Sequence, residues 1–198
     1  MNAYRINEIF YSLQGEGFHS GTPAVFVRFS GCNLHCDFCD TLHQMGTMMS
    51  LQDIVKEINK YPDAPLLVLT GGEPSLFIDE DFIAALKTDT GKLIAIETNG
   101  TRALPKNLDW VTFSPKNSFA GGEAEPVVLT HCDELKVVYL DQDLSQYDTI
   151  EAKYRFLQPC YSPDEAQCQK NMQACVEAVL SHPQWRLSLQ IHRILNIR

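Results

Sequence analysis

Gly31-Cys32-Asn33-Leu34-His35-Cys36-Asp37-Phe38-Cys39-Asp40-Thr41 is the stretch that decides the reading of this chain. Three cysteines at C-x-x-x-C-x-x-C spacing can close on one metal centre. A 4Fe-4S cluster takes one cysteine per iron, four in all, so a three-cysteine motif leaves one iron open to another ligand. Zinc is the competing reading, but zinc motifs usually show a close pair of ligands and a second pair further on. No second C-x-x-C occurs in the chain. Core cysteines with no metal are the remaining reading.

The chain around this loop suits a single domain spanning residues 1–198, with an N-terminal strand and loop as an arm. Its 198 residues are 44% hydrophobic, enough for one sizeable core. Sixteen basic residues against 25 acidic give a net charge of −9, which argues against a surface that must neutralise nucleic-acid phosphates. A small-molecule substrate fits better. The N-terminus lacks the basic, apolar, small-residue order of a signal peptide, and no apolar run approaches the ~20 residues that span a bilayer. The expectation is a cytoplasmic protein without membrane contact. In that compartment seven cysteines read as metal ligands or buried thiols.

N-terminal to the cysteines, Tyr4 to Phe10 is strand-like and runs into Tyr11-Ser12-Leu13-Gln14-Gly15-Glu16-Gly17. Two glycines flank a carboxylate there, either as an ordinary hairpin turn or as a loop that lets backbone approach a ligand. Pro23 opens Ala24-Val25-Phe26-Val27-Arg28-Phe29-Ser30, an apolar run suited to a strand buried on both faces. Arg28 is the odd residue in it. A withdrawn guanidinium needs a partner: a structural carboxylate, with Glu16 or Glu97 as candidates, or an anionic ligand held bidentately. Its place just before the cysteine loop favours the ligand.

C-terminal to them, Ser50 and Asp53 form a capping-box start, and Leu51, Ile54, Val55 and Ile58 fall on one helical face. Leu66-Leu67-Val68-Leu69-Thr70 reads as a central parallel strand ending at Gly71-Gly72-Glu73-Pro74. A helix near Asp81 to Lys87 follows, then strands at Leu93 to Glu97, ending in Thr98-Asn99-Gly100, and at Trp110 to Phe113, ending in Ser114-Pro115-Lys116. Residues 117–126 read as a loop. Leu135 to Tyr139 and Arg155 to Leu157 are further strands. Ser162 as N-cap, with Pro163 first in the helix, predicts a helix to about Ser181; Cys168 and Cys175 share one face of it. A second cluster with Cys132 and Cys160 is the alternative, but the four match no ligand spacing and the commoner reading is core thiols. A last strand from Trp185 to Ile191 carries Gln190 and leads to His192. Strands that each end in a polar, turn-forming cluster are how α/β barrels assemble a site at one mouth. About six parallel strands are too few for closure, so the expected fold is α/β, an open partial (β/α) barrel.

The cysteine spacing, with an aromatic residue, Phe38, just before the last cysteine, resembles the signature of the radical S-adenosylmethionine (SAM) enzymes. Thr70 to Pro74 is similar to that family's second motif, and Ser114 to Lys116 to a third. The resemblance implies that Cys32, Cys36 and Cys39 hold a 4Fe-4S cluster, whose open iron chelates SAM, and that an electron cleaves SAM to a 5′-deoxyadenosyl radical. Phe38, Cys39, Asp40, Gly72, Glu73, Ser114, Pro115 and Lys116 would hold SAM.

Within the family the chain looks closest to members that convert 6-carboxy-5,6,7,8-tetrahydropterin to 7-carboxy-7-deazaguanine with loss of ammonia, on the way to queuosine. Ser12 to Gly17, Phe26 to Phe29, Cys39 to Thr41, Glu97 to Gly100, Ser114 to Lys116 and Leu189 to His192 carry this likeness. It implies that Leu13, Gln14, Gly15, Glu16, Arg28, Thr70, Glu97 and His192 contact the substrate, with Arg28 and Glu97 in catalytic roles. It implies Mg²⁺ at Thr41, a homodimer, and an external electron donor such as flavodoxin. At the C-terminus, where such members often carry proline, Arg198 stands. Two other readings share features with this one: a glycyl-radical-enzyme activase, which would need a protein partner, and a non-catalytic metal-binding scaffold.

Overall fold

The computed structural model describes residues 3–36, 39, 45–116 and 125–198. Its backbone is one twisted sheet. Strands β1 (Ala3–Leu13), β2 (Pro23–Phe29), β3 (Thr47–Ser50), β4 (Leu66–Gly71), β5 (Leu93–Thr98), β6 (Trp110–Phe113), β7 (His131–Tyr139), β8 (Glu151–Pro159) and β9 (Arg186–Leu187) lie in the order β3-β1-β2-β4-β5-β6-β7-β8-β9. From β2 to β9 every neighbouring pair is parallel, whereas β1 runs antiparallel to both β2 and β3. Among the described residues seven parallel strands thus stand where about six were expected, with β3 and β9 at the edges of the sheet. The fold is the expected open partial barrel.

Helices α1 (Leu51–Ile58), α2 (Glu80–Thr90) and α3 (Glu165–Ser181) cover the outer face, and a short α4 (Ile191–Leu195) follows β9. The capping box at α1 forms as the sequence predicts: Ser50 Oγ accepts from the Asp53 amide, and the Asp53 carboxylate accepts back from the Ser50 amide. Outward-facing Val25, Val27, Leu67, Leu69, Ile94 and Ile96 pack with Ile54, Ile58, Phe82 and Ile83 in one core. A second core joins Leu135, Val137 and Leu157 to Cys175 and Ala178 of α3.

Because side chains alternate along a strand, the complementary residues face inward. Phe10, Ala24, Phe26, Leu66, Val68 and Ala95 make an apolar inner cluster, and Arg28, Thr70, Glu97, Lys136 and Gln158 continue the same faces toward the C-terminal ends of their strands. The β1–β2 connection does not stay at the sheet's end. It crosses the inner face, where Phe18 stacks on Trp110 and Tyr154 with ring centroids 4.8 and 4.3 Å apart.

Two element assignments differ from expectation. Asp164, not Ser162, caps α3, its carboxylate accepting from the Ala166 amide; Ser162 Oγ accepts from Asp164 instead. The strand expected from Trp185 to Ile191 is two residues long, and Ile191 to Leu195 turns into α4, so His192 sits on a helix. Among the described residues no helix is long and apolar enough to cross a membrane.

Candidate active site

A cavity of about 320 Å³ opens at the C-terminal ends of the strands, lined by all three loop cysteines, Gln14, Glu16, Arg28, Thr70, Glu97, Lys116 and His192 among others. The structure therefore brings together the described residues that sequence reasoning assigned to cofactor and substrate, apart from Pro115. Phe38, Asp40 and Thr41 lie outside the described residues.

The cysteine loop is held from β4 and β5. Gly72 lies against Gly31, where a Cβ would stand 1.9 Å from the Gly31 carbonyl oxygen, so only glycine permits the approach. The Glu73 amide donates to that same carbonyl at 2.8 Å. The Glu73 side chain, 1% exposed, accepts from Ser75 Oγ, Thr98 Oγ1 and the Asn99 amide at 2.6, 2.7 and 2.7 Å. Its carboxylate therefore ties β4 to β5, and any contact of Glu73 with a cofactor falls to its backbone. Asn33, between the first two cysteines, exchanges hydrogen bonds with Thr101 and Asn99 at 2.8 and 3.0 Å.

The Cys32 thiol accepts from the Leu34 amide at 3.4 Å. Burial pushes its pKa up, and the nearby Glu73, Cys36 and Cys39 push it the same way. Three thiols this close repel one another as thiolates, so the set suits a cationic centre that lets all three ionise. Among the described residues no three His, Cys, Asp or Glu side chains converge on a single ion. A cluster that takes one thiolate on each of three irons is served by three cysteines lining one cavity. Cys132 and Cys175 sit in the second core, their thiols pushed up to about 12 by burial; Cys160 lines the cavity.

Facing the cysteines is a buried charge network. Lys136, 5% exposed, places its ammonium 2.7 Å from Glu16 Oε2 and 2.9 Å from Glu97 Oε2. Burial opposes the charge, yet Glu16, Glu97 and Glu134 together hold the ammonium above its ordinary pKa. Burial likewise pushes Glu16 up, but Lys136, Gln190 and His192 outweigh it and bring the carboxyl down to about 2. Glu97 goes the other way: burial and the Glu16 charge leave it raised despite Lys136. One ammonium serves two carboxylates, and Glu97 is the one readier to take a proton. Gln14 Nε2 donates to Glu97 Oε1 at 3.2 Å, and Gln190 Nε2 to Glu16 Oε1 at 2.8 Å. Lys116 donates to Ser114 Oγ at 2.7 Å; burial and the Lys136 charge lower its pKa.

Arg28 takes a partner the sequence did not suggest. Its Nε donates to Glu8 Oε1 at 2.9 Å, directly across the β1–β2 pair, while Glu16 and Glu97, the expected candidates, belong to Lys136. The Arg198 guanidinium bonds the other oxygen of Glu8. His192 is brought in by α4, whose Ile191 amide donates to Gly15 O at 3.0 Å. Sequence reasoning missed Lys136, Glu134, Gln158 and Cys160. Lys136 carried the same signal as Arg28, a lone charge in an apolar strand; Gln158 and Cys160 carried none.

Residues 26–116 match the Radical SAM superfamily. The chain is 54% identical to 7-carboxy-7-deazaguanine synthase of Bacteroides thetaiotaomicron, covering 98% of each chain. It is 39% identical to the enzyme of that name in Caulobacter vibrioides, over 98% of this chain and 99% of that one. The solved structure of QueE from Escherichia coli superposes with a TM-score of 0.76 at 29% identity, covering 95% of this chain and 94% of that one. With its cysteine loop, cavity and full-length likeness, the chain belongs to the 7-carboxy-7-deazaguanine synthases of the radical SAM superfamily, enzymes that carry a 4Fe-4S cluster and use S-adenosylmethionine.

Proposed function

We propose that this chain converts 6-carboxy-5,6,7,8-tetrahydropterin to 7-carboxy-7-deazaguanine with loss of ammonia, as a step toward queuosine. The observation that carries the reading is one cavity in which three thiols face a Lys-Glu-Glu cluster, an arginine and a histidine. A 4Fe-4S cluster would be held by Cys32, Cys36 and Cys39, and together with SAM it would supply the radical chemistry that activates the substrate. The protein's own residues do the rest. Arg28, at the end of β2, offers a guanidinium to the pterin carboxylate, and a fixed carboxylate aims one ring hydrogen at the radical. Gln14 and Glu16 hold the pterin edge. Glu97, whose carboxyl burial holds above its ordinary pKa, gives or accepts the proton that the departing amine requires. Backbone at Gly72 and side chains from Ser114 to Lys116 serve SAM.

Mg²⁺ at Thr41 belongs to the same proposal. Magnesium keeps most of its shell for water or substrate, so one hydroxyl beside a substrate carboxylate is a reasonable site. A homodimer, cytoplasmic location and an external electron donor such as flavodoxin complete it.

The test is anaerobic reconstitution with iron and sulfide, then incubation with SAM, reductant, Mg²⁺ and the pterin. The deazapurine and ammonia should appear while SAM is regenerated. No product, together with a radical appearing on an added protein, would make the chain an activase. In the same assay Thr41→Ala should lower turnover at a given Mg²⁺ concentration far more than it lowers SAM cleavage without substrate; an unchanged magnesium dependence would remove Thr41 from the site.

A further inference from the structure

Glu134 has entered so far only through its charge on Lys136, yet it is 2% exposed and sits on the inner face of β7, two residues before Lys136. We propose that Glu134 is a positioning residue for the pterin site: its carboxylate latches the Gly15–Phe18 segment to β7 and so fixes Gln14 and Glu16 in the cavity. This rests on the cavity being the pterin site.

The contacts are specific. The Phe18 amide donates to Glu134 Oε2 at 3.0 Å. Gly17, with φ +65°, packs so closely that a Cβ there would stand 1.8 Å from Glu134 Oε1. The Gly17 amide donates to Ser188 Oγ at 3.0 Å, and Ser188 Oγ donates to Gln158 Oε1 at 2.9 Å. The crossing segment thus hangs from β7 by one buried carboxylate and from the β8–β9 side by one hydroxyl. Its own carboxylate, Glu16, returns to Lys136 on β7. One strand therefore holds the segment's backbone through residue 134 and its functional side chain through residue 136. The charged groups facing Glu134 are Lys136 on its own strand, Glu97 on β5 and Glu16 in the crossing segment; burial, then the two glutamates, raise the carboxyl to about 7 against the pull of Lys136 and the Phe18 amide. A buried carboxylate that costs this much to ionise, beside a lysine already engaged by two others, has the Phe18 amide as its neutral hydrogen-bond partner.

The variants are Glu134→Ala, which removes the acceptor, and Glu134→Gln, which keeps one. In Glu134→Ala the Phe18 amide should lose its hydrogen-exchange protection while the buried Leu67 amide keeps it, and KM for the pterin should rise roughly ten-fold or more while KM for SAM moves less than about two-fold. Glu134→Gln should restore both the protection and the pterin KM. Gly17→Ala, which pushes the segment off Glu134 from the other side, should reproduce the raised pterin KM and serves if Glu134→Ala does not fold. Retained Phe18 protection with an unchanged pterin KM in Glu134→Ala, or failure of Glu134→Gln to restore either, overturns the latch. A wild-type enzyme that turns over no pterin would sink the proposed function alone, because the exchange experiment judges the latch without substrate.

Discussion

Arg28 and Lys136 are both cations in apolar strands, and each is resolved differently by its surroundings. Lys136 is compact and sits between two carboxylates deep in the cavity, where its attraction to them exceeds the penalty of burial. Breaking such a group by removing one member typically costs 3–5 kcal/mol, so this triad is as much a structural commitment as a functional one. Arg28 is about one-quarter exposed at its side chain and gives its Nε edge to Glu8. A planar guanidinium can hold a strand partner on one edge and a ligand carboxylate on another, which an ammonium cannot. Arg28→Lys should therefore weaken pterin affinity by roughly ten-fold or more, since hydrogen bonds to charged groups contribute about 1.5–3 kcal/mol each, and leave SAM affinity nearly intact. Calorimetric titration of the reconstituted variant with pterin in the presence of SAM decides it: wild-type affinity would reduce Arg28 to the cross-strand partner of Glu8.

At the scale of elements, the joint between β2 and β4 sets the cysteine loop. A methyl at Gly72 meets the Gly31 carbonyl oxygen at 1.9 Å and its carbon at 2.5 Å, backbone atoms that cannot swing aside. Gly72→Ala should displace the cysteine loop, cost about 1–3 kcal/mol as overpacking does, and lower the iron bound per chain after reconstitution. Full iron loading and an unchanged melting temperature would show that the joint yields. The same elements show what the sequence could and could not tell. The continuous apolar runs of β2, β4 and β5 announce buried parallel strands, and the Ser50–Asp53 cap announces α1, because both signals are local. β3 went unread because four residues of Thr-Met-Met-Ser carry no alternation; they become a strand by pairing with β1. β9 and α4 were misread as one strand because Leu187, Leu189 and Ile191 alternate, although the chain's pairing with β8 runs through Arg186 and Leu187 and ends with the Ser188 amide on Leu157 O. For the site, motif residues were legible, while the Lys136 triad and the Glu134 contact arise only when β7 is laid beside the crossing segment, a relation no spacing encodes.

The molecule as a whole inherits a pH dependence from this buried cluster. Glu16, brought down to about 2 from 4.5, contributes stability that is present above its unfolded value and is lost as pH falls toward 2. Glu134, raised from 4.5 to about 7, does the reverse. Between those two values the folded chain keeps a proton that the unfolded chain has released, so stability falls as pH rises through that window and levels off above it; Glu97, also raised, adds in the same direction. The cluster is therefore most stabilising at about pH 4 to 4.5. The Glu134 share amounts to about 3 kcal/mol across the window, which for a chain of this size is a melting-temperature change on the order of 6–12 °C. Glu134→Gln cannot ionise and loses that share. Melting wild-type and Glu134→Gln apoprotein from pH 5 to pH 8.5 should show the wild type falling more steeply toward neutral pH, with the two curves parallel above about pH 8. Curves parallel throughout would mean that Glu134 is ionised across the whole range, held by Lys136 together with Glu16 and Glu97 as a fully charged cluster.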